Sequence, residues 1–388
     1  MTPAARVAAA IDVLDRILAG QPAEQALTNW ARANRYAGSG DRAAVRDHAF
    51  GAIRCRRSFA ALGGAETGRG LMIGALMSEG IDPATVFTGE GYAPSPLSPA
   101  EGASTDWDAL PDSVRLDYPD WLEPALRSAL AEGFSTELET LRRRAPVFLR
   151  VNLAKTDRAG AEAALREDGI ETAPHRLAKT ALHVVANARR IRSARAYRDG
   201  LVELQDAASQ AVPQSLGDVA GLRILDYCAG GGGKSLALAA AGAVVSAYDA
   251  NPGRMSDLSN RVARAGVRVE QVTRKEAEKG APWPLILVDA PCSGSGAWRR
   301  QVEAKWRLTP ERLAELCAAQ AAILDRTAPM VRQGGRLAYV TCSILNAENQ
   351  DQIIGFLARH PGWRCAETRI FRPSEGGDGF FLAVLTHA

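Results

Sequence analysis

The sequence predicts an α/β fold: an open parallel sheet with helical crossovers, preceded by a small mixed α/β module and an all-α N-terminal domain. Three observations carry this. From Gly221 onward, short β-rich runs (RILDY, VVSAY, VRVEQV, LILVDA, RLAYVT) alternate with helix-length segments, the pattern of right-handed β–α–β crossovers. Residues 4–62 are rich in alanine and arginine and place Val7, Ile11, Leu14, Ile17 and Leu18 at helical spacing. Between these regions, GYAPSPLSPAEGASTDWDALPD holds four prolines and little periodicity, which reads as a linker. A chain of 388 residues exceeds what one hydrophobic core usually serves, so several domains are expected.

In chain order, residues 1–90 are expected to form the helical domain, 91–114 the linker, 115–204 the small basic module and 205–388 the parallel-sheet domain. In the module, a helical stretch from about Trp121 to Leu141 leads into VFLRVNL and LHVV, separated by the helical AGAEAALRED. The final GFFLAVLTHA reads as a last strand, antiparallel and at the sheet edge. No internal repeat stands out.

Composition excludes several classes. With 46% apolar and 23% charged residues, the chain reads as ordinary soluble globular protein. No apolar run approaches the roughly 18 residues that cross a bilayer, and the N-terminus lacks a signal-peptide layout. Six cysteines are spread singly with no C-x-x-C pair, which argues against zinc and against a disulfide framework. A reducing cytoplasm, no metal and a monomeric chain are the expectations.

The net charge of +3 conceals a segregation. Residues 1–75 carry ten arginines and no lysine, whereas Arg115 is the only base in the acidic stretch 76–126. Residues 141–200 are basic again, from Arg142, Arg143 and Arg144 onward. Each block alone reads equally well as a solvated helix face. Two blocks beside a nucleotide-type loop favour a polyanion, because every neutralised phosphate releases counterions.

That loop is LDYCAGGGGKS, residues 225–235. Gly233, Lys234 and Ser235 fit the end of a P-loop, but Cys228 stands where the opening glycine belongs. The loop follows the first strand of the alternating region and opens its first helix, so backbone N–H groups and the helix dipole face a ligand. After the second strand comes Asp249, where an acid grips ribose hydroxyls in such folds. A P-loop protein needs no acid there, whereas a dinucleotide or S-adenosylmethionine site does. Asp249 also reads as a turn residue capping a helix from Pro252.

The fourth strand ends LVDAPCSGSG, placing Asp289 and Cys292 at the carboxyl edge, and the fifth ends YVTCSI with Cys342 beside them. Ligands of open α/β sheets bind outside that edge. Cys55, Cys317 and Cys365 read as small buried hydrophobes, but two cysteines and an aspartate converging on a ligand loop point to nucleophile or proton chemistry.

DYCAGGGGKS, VDAPCSGSG, YVTCSILNAENQ and GLVELQDAASQ resemble the RsmB/NSUN family of RNA (cytosine-5) methyltransferases, over residues from about 115 to 388. The arginine-rich start is similar, more weakly, to the NusB-like RNA-binding domain of bacterial members, and FLRVNL resembles part of the family's small domain. The resemblance implies a Rossmann-like methyltransferase domain, S-adenosylmethionine as cofactor and RNA as partner, ribosomal ahead of transfer RNA. It implies cofactor binding by Cys228, Ala229, Gly230, Gly231, Gly232, Gly233 and Lys234, with Asp249, Arg254 and Asp289.

The chemistry explains the residue types. Cytosine C5 is too poor a nucleophile to take a methyl group unaided, but a thiolate adding to C6 makes C5 an enamine carbon. Free cysteine ionises near pH 8.5, so a cation or helix end must favour its thiolate. Sequence alone leaves the two cysteines exchangeable, since DNA cytosine methyltransferases use the P-C cysteine as nucleophile. By resemblance Cys342 attacks, Cys292 serves product release, Asp289 bonds the N3/N4 edge of the base, and Lys234 lies near cofactor and base. Trp298, Arg299, Arg300, Lys305, Trp306 and Arg307 interleave aromatics with bases and suit splayed RNA.

Two departures stand out. The family's A-P-G-G-K-T loop is A-G-G-G-G-K-S here, without its stiffening proline. Where the family has an aspartate near the adenine, this chain reads QVTRKEAEKG, so no residue is assigned to the ring. A P-loop NTPase acting on RNA and a catalytically silent RNA-binding relative are the rival readings. The first gives the two edge cysteines no role, and the second leaves them unexplained.

Overall fold

The computed structural model describes residues 1–102 and 105–387, so part of the expected linker, residues 103 and 104, lies outside the described residues. The chain divides into two compact units. One comprises Met1–Arg127, Ala131–Arg144 and Trp298–Arg307; the other comprises Ser128–Leu130, Ala145–Ala297 and Leu308–Ala388. Residues 131–144 and most of 115–130, expected to open the small module, therefore fall in the helical unit.

The helical unit is built on helices Pro3–Leu18, Ala23–Ala33, Ser39–Arg54, Arg56–Gly63 and Gly68–Ser78. Thr2 caps the first through its hydroxyl, which accepts the Ala5 N–H at 3.2 Å, and Pro3 suits the first turn. Val7, Val13, Leu14, Leu27, Trp30, Val45, Ile53 and Leu71 fill the core. Val302 joins them, and Trp306 packs against them. The Trp306 indole donates to the Ile53 carbonyl at 2.7 Å, and Lys305 to that of Arg54 at 3.0 Å.

This packing corrects the reading of that segment as an RNA platform. Trp298, Arg299 and Lys305 are at most 3% exposed. The helix Val302–Arg307 turns Val302, Lys305 and Trp306 towards the bundle, so aromatic and basic residues at helical spacing here mark a packed face. Burial depresses the Lys305 pKa to about 8.

Arg142 is likewise structural. Asp117, fully buried at φ +58°, accepts the backbone N–H groups of Arg57 and Ser58, the Ser58 hydroxyl and the Arg142 guanidinium at 2.7–2.9 Å. Instead of one helix from Trp121 to Leu141 there are two, Glu123–Leu130 and Phe134–Arg142, with Ala131 between them at φ +46°.

In the second unit, β1 (Phe148–Val151), β2 (Glu171–Pro174), β3 (Ala181–Ala186) and β4 (Val202–Leu204) form an antiparallel sheet in the order β2-β3-β1-β4. Helix Arg158–Glu167 lies between β1 and β2 in sequence. The larger sheet contains β5 (Arg223–Asp226), β6 (Val244–Ala247), β7 (Val269–Gln271), β8 (Trp283–Asp289), β9 (Val331–Thr341), β10 (Trp363–Phe371) and β11 (Phe380–His387). Their order is β10-β11-β9-β8-β5-β6-β7. Strands β5 to β9 run parallel, β11 runs antiparallel to β9, and β10, antiparallel to β11, shares the direction of the parallel strands, the Rossmann-like arrangement expected. The last strand is antiparallel but not at the edge: β10 occupies that position, and β11 lies between it and β9.

Both faces of this sheet are covered, and alternate residues divide between them. Ile224, Leu285, Leu287, Ala338, Val340, Leu382 and Val384 join one core. Their neighbours Leu225, Ile286, Val288, Leu337, Tyr339, Ala383 and Leu385 join the other. Pairing then fixes the carboxyl edge: Asp226 lies opposite Ala247 and Leu287, Asp289 opposite Val340, and Thr341 opposite Phe381. The strand order reverses between β5 and β8, so the ligand-binding crevice of such sheets opens there.

Candidate active site

The glycine loop joins β5 to helix Gly233–Ala240, whose first N–H groups have no carbonyl partner within the helix. Gly230 and Gly232 have φ of +53° and +76°, so the turn needs residues without a side-chain penalty. A Cβ on Gly232 would also stand 2.2 Å from Leu258. Asp249, 4% exposed at the end of β6, secures the loop. One oxygen accepts the Gly230 N–H at 2.9 Å and Arg254 at 3.1 Å, and the other accepts the Asn251 N–H at 2.9 Å.

The Cys228 side chain packs towards the core formed by Tyr227 and Leu225. Ala229 spends its backbone within the turn, donating to the Tyr248 carbonyl and accepting from the Gly232 N–H. Bare backbone is therefore offered by the glycines. Below them Asp226 is buried; its Oδ2 accepts the Ser235 hydroxyl at 2.6 Å, while Oδ1 has no partner among the described residues. Burial raises its pKa to about 7.

The candidate catalytic side chains gather one strand over. Lys234 Nζ lies 2.7 Å from Asp289 Oδ2 and 5.1 Å from the Phe380 ring centroid. Burial opposes its charge, but the Asp289 carboxylate outweighs this, and Cys342 acts in the same direction, so its pKa is raised. The Cys292 and Cys342 sulfurs are 3.4 Å apart. The hydrogen bond to Cys342, burial, and the negative charges of Cys342 and Glu348 all push the Cys292 thiol upward. Lys234, Asp289, Cys292 and Cys342, singled out in the sequence, thus meet at the ends of β8 and β9.

Three further residues hold this arrangement and carry no local signature. Arg150 of β1, 4% exposed, donates to the Gly233 carbonyl at 2.5 Å and to Gln205, bracing the loop from the small sheet. Burial lowers its pKa to about 10. Glu348, fully buried, ties the Cys292 loop to the Cys342 loop. All three lie inside the quoted motifs FLRVNL, GLVELQDAASQ and YVTCSILNAENQ, so motif membership was their only signal.

Gly296 closes the site from below. Its N–H donates to the Cys342 carbonyl at 3.0 Å, and its carbonyl accepts the Gly379 N–H at 2.9 Å. A Cβ there would stand 2.1 Å from the Gly379 oxygen, so only glycine permits this approach.

Comparison with known proteins places the chain in a family. Residues 214–386 match the family described as 16S rRNA methyltransferase RsmB/F, and residues 118–191 match its RsmF/B-like ferredoxin-like domain. Ribosomal RNA small subunit methyltransferase B of Salmonella typhi is 34% identical over 288 residues, 70% of this chain and 67% of that protein. Among solved structures, that of PH0851 superposes with a TM-score of 0.77 at 21% identity, covering 100% of this chain and 99% of that one. NSun6 from Pyrococcus horikoshii, solved with SFG, gives 0.61 at 18% identity, covering 69% and 98%. The structural matches establish the fold, and the sequence matches go further: the chain belongs to the RsmB/F methyltransferase family.

Proposed function

We propose that the chain is an S-adenosylmethionine-dependent RNA (cytosine-5) methyltransferase acting on ribosomal RNA through a covalent cysteine–C6 intermediate. The observation that carries this reading is the 3.4 Å pair of thiols beside the Lys234–Asp289 ion pair. The ribosomal substrate rests on the names of the family and of the Salmonella relative.

The residues present fit the cofactor. The glycine turn leaves backbone donors free of side chains, and the orphaned Asp226 Oδ1 is an acceptor awaiting a donor. Asp249 uses three of roughly four carboxylate lone-pair positions on the loop and Arg254, and the Arg254 side chain is 55% exposed. Ribose hydroxyls can take the remaining position. S-adenosylmethionine supplies an electrophilic methyl group; the chain's own residues do the rest.

Cys342, on the Lys234 side, is the nucleophile. Its sulfur bonds to C6, the C5–C6 π electrons move into the C4–C5 bond, the C4–N3 π electrons move onto N3, and N3 takes a proton from solvent while the Asp289 carboxylate accepts from the N4 amino group. C5 is then nucleophilic. After methylation a solvent base removes the C5 proton, those electrons restore C5–C6, and the C6–S bond breaks towards Cys342. The Cys292 S–H stabilises the departing thiolate by a hydrogen bond. The target base must first leave its stack, which favours loops over duplex.

Gel analysis of two variants with RNA tests the reading. Cys342→Ala abolishes methylation and any covalent adduct. Cys292→Ala still forms the C6 bond but eliminates slowly, so a nuclease-sensitive slow band accumulates on a denaturing gel. An adduct with Cys342→Ala and none with Cys292→Ala reverses the roles. Bisulfite sequencing of RNA from a deletion strain then identifies the substrate, with loss of a transfer-RNA site refuting the ribosomal assignment.

A further inference from the structure

The two thiols are chemically equal in sequence, yet the reaction needs one charged and one protonated. The fold makes them unequal through Glu348. This carboxylate, on the 3-10 turn Asn346–Glu348 after β9, is 0% exposed. One oxygen accepts the Ser293 N–H at 2.7 Å and Gln320 Nε2 at 3.1 Å. The other accepts the Ser293 and Ser343 hydroxyls, each at 2.5 Å. Ser293 follows Cys292 and Ser343 follows Cys342, so one buried acid holds both cysteine loops.

The surrounding bonds leave little slack. Ser295 and Ser343 hydroxyls are 2.9 Å apart, Gln320 also donates to the Pro291 carbonyl at 2.9 Å, and Tyr339 donates to the Glu348 carbonyl at 2.7 Å. Four donors on one carboxylate are what a charged acceptor requires when water is excluded. Its negative charge repels a second one on Cys292, and three of the bonds in this network, to the Pro291 carbonyl and to the Ser293 N–H and hydroxyl, fall on the residues flanking Cys292. The other ionisable groups around the pair are Asp289 on Lys234, Tyr339 and Cys228 beneath, and Cys317 beside Glu348.

We propose that Glu348 is a positioning residue that keeps the shared proton of the thiol pair on Cys292 and leaves the charge to Cys342. It rests on the two-thiol reading above for its catalytic meaning, but the asymmetry itself needs no RNA. The 3.4 Å contact allows either sulfur to donate; on this proposal Glu348 makes Cys292 the donor and Cys342 the acceptor. That is the direction needed both to expose a nucleophile and to stabilise it on departure.

Iodoacetamide alkylation of the full chain, mapped by peptide mass spectrometry across pH, tests this without substrate. In the wild type Cys342 reacts at least tenfold faster than Cys292 at neutral pH. Glu348→Gln keeps the shape but removes the charge, and raises the relative rate of Cys292 by about tenfold, one pKa unit. Gln320→Met removes a donor but not the charge, and leaves Cys292 slow.

Faster reaction at Cys292 than at Cys342 in the wild type overturns the proposal, even if Glu348→Gln does not fold. So does an equal rise in both variants, which would make Glu348 a structural support only. If Cys342→Ala still methylates RNA, the reaction scheme fails while the alkylation ratio continues to report on Glu348.

Discussion

The Lys234 ammonium lies 2.7 Å from Asp289 Oδ2 with only 7% of its side chain exposed, although Asp289 itself is 33% exposed. The lysine is therefore held by its partner, while the aspartate keeps a face open to solvent. Removing either member has different consequences, because only one of them is deprived of water.

Lys234→Met leaves Asp289 with solvent as its counter-charge and should cost about 1–3 kcal/mol in unfolding free energy. It should lower methylation by about 10²–10³-fold, since Asp289 and Cys342 both lose their cation. The Lys234 pKa is raised above its ordinary 10.5, so its stabilising contribution is complete below that pH and is lost only as pH rises through the folded value. Measured in an Asp226→Asn background, which removes a carboxyl that Lys234 helps to ionise, the stability deficit of the variant should hence be constant from about pH 6 to about pH 9. Denaturation measured across that range checks this, and full activity in the variant would reduce the pair to a structural contact.

Asp226 gives the opposite pH dependence. Burial raises its pKa from 3.8 to about 7, so between those values the unfolded chain releases a proton that the folded chain retains. Native stability should consequently fall as pH rises across this window. Asp226→Asn, which cannot ionise, should remove that slope and gain up to about 3 kcal/mol relative to wild type by neutral pH. Urea midpoints of both proteins at pH 4.5 and 7.5 decide it, and parallel behaviour would show that Asp226 ionises freely.

The basic block beginning at Arg142 divides into structural and exposed members. Arg142→Glu places a second negative charge against buried Asp117 and should destabilise the helical unit by about 3–5 kcal/mol. Arg143, Arg192 and Arg198 are exposed. Reversing these three should leave the thermal midpoint within a degree or two while weakening RNA binding about tenfold or more. The wild-type affinity should fall steeply with salt, and the variant should have a shallower salt slope. Salt-independent binding would mean that the exposed arginines are solvated surface.

The legible parts of the chain were those with a local chemical reason. Both faces of the main sheet are buried, so β5, β8 and β9 read as near-continuous apolar runs, and the glycine turn, Asp249 and the two cysteines follow directly at their ends. The edge strand β10 escaped because one side of it meets water: Arg364, Glu367, Thr368 and Arg369 are exposed, and nothing in WRCAETRIF alternates as a buried strand does. β2 escaped because ETAP is partly exposed, ends in proline and carries no apolar run. Trp306 and Lys305 were misread because a buried lysine on a helix face has the same sequence as a solvated one. Its partner, the Arg54 carbonyl, lies 251 residues away. Glu348 was hidden for a related reason. Its four donors come from three segments that only the fold brings together.

The cofactor loop offers the sharpest separation of shape from charge. Gly232→Ala should strain the turn at φ +76° and drive a methyl group towards Leu258, leaving the Asp249 carboxylate in place. Asp249→Ala should leave the turn glycines unstrained but deprive Gly230, Asn251 and Arg254 of their acceptor. Both variants should weaken S-adenosylmethionine binding by about tenfold or more in calorimetry, at roughly 1.4 kcal/mol per tenfold. They should differ with a cofactor analogue lacking the ribose hydroxyls: Gly232→Ala loses the same factor as with the full cofactor, whereas Asp249→Ala loses a smaller factor, since only its effect on the loop remains. Tight ATP binding with none of the methyl donor in the wild type would overturn the assignment of the loop, and an unchanged affinity in Asp249→Ala would remove the acid from the ribose site.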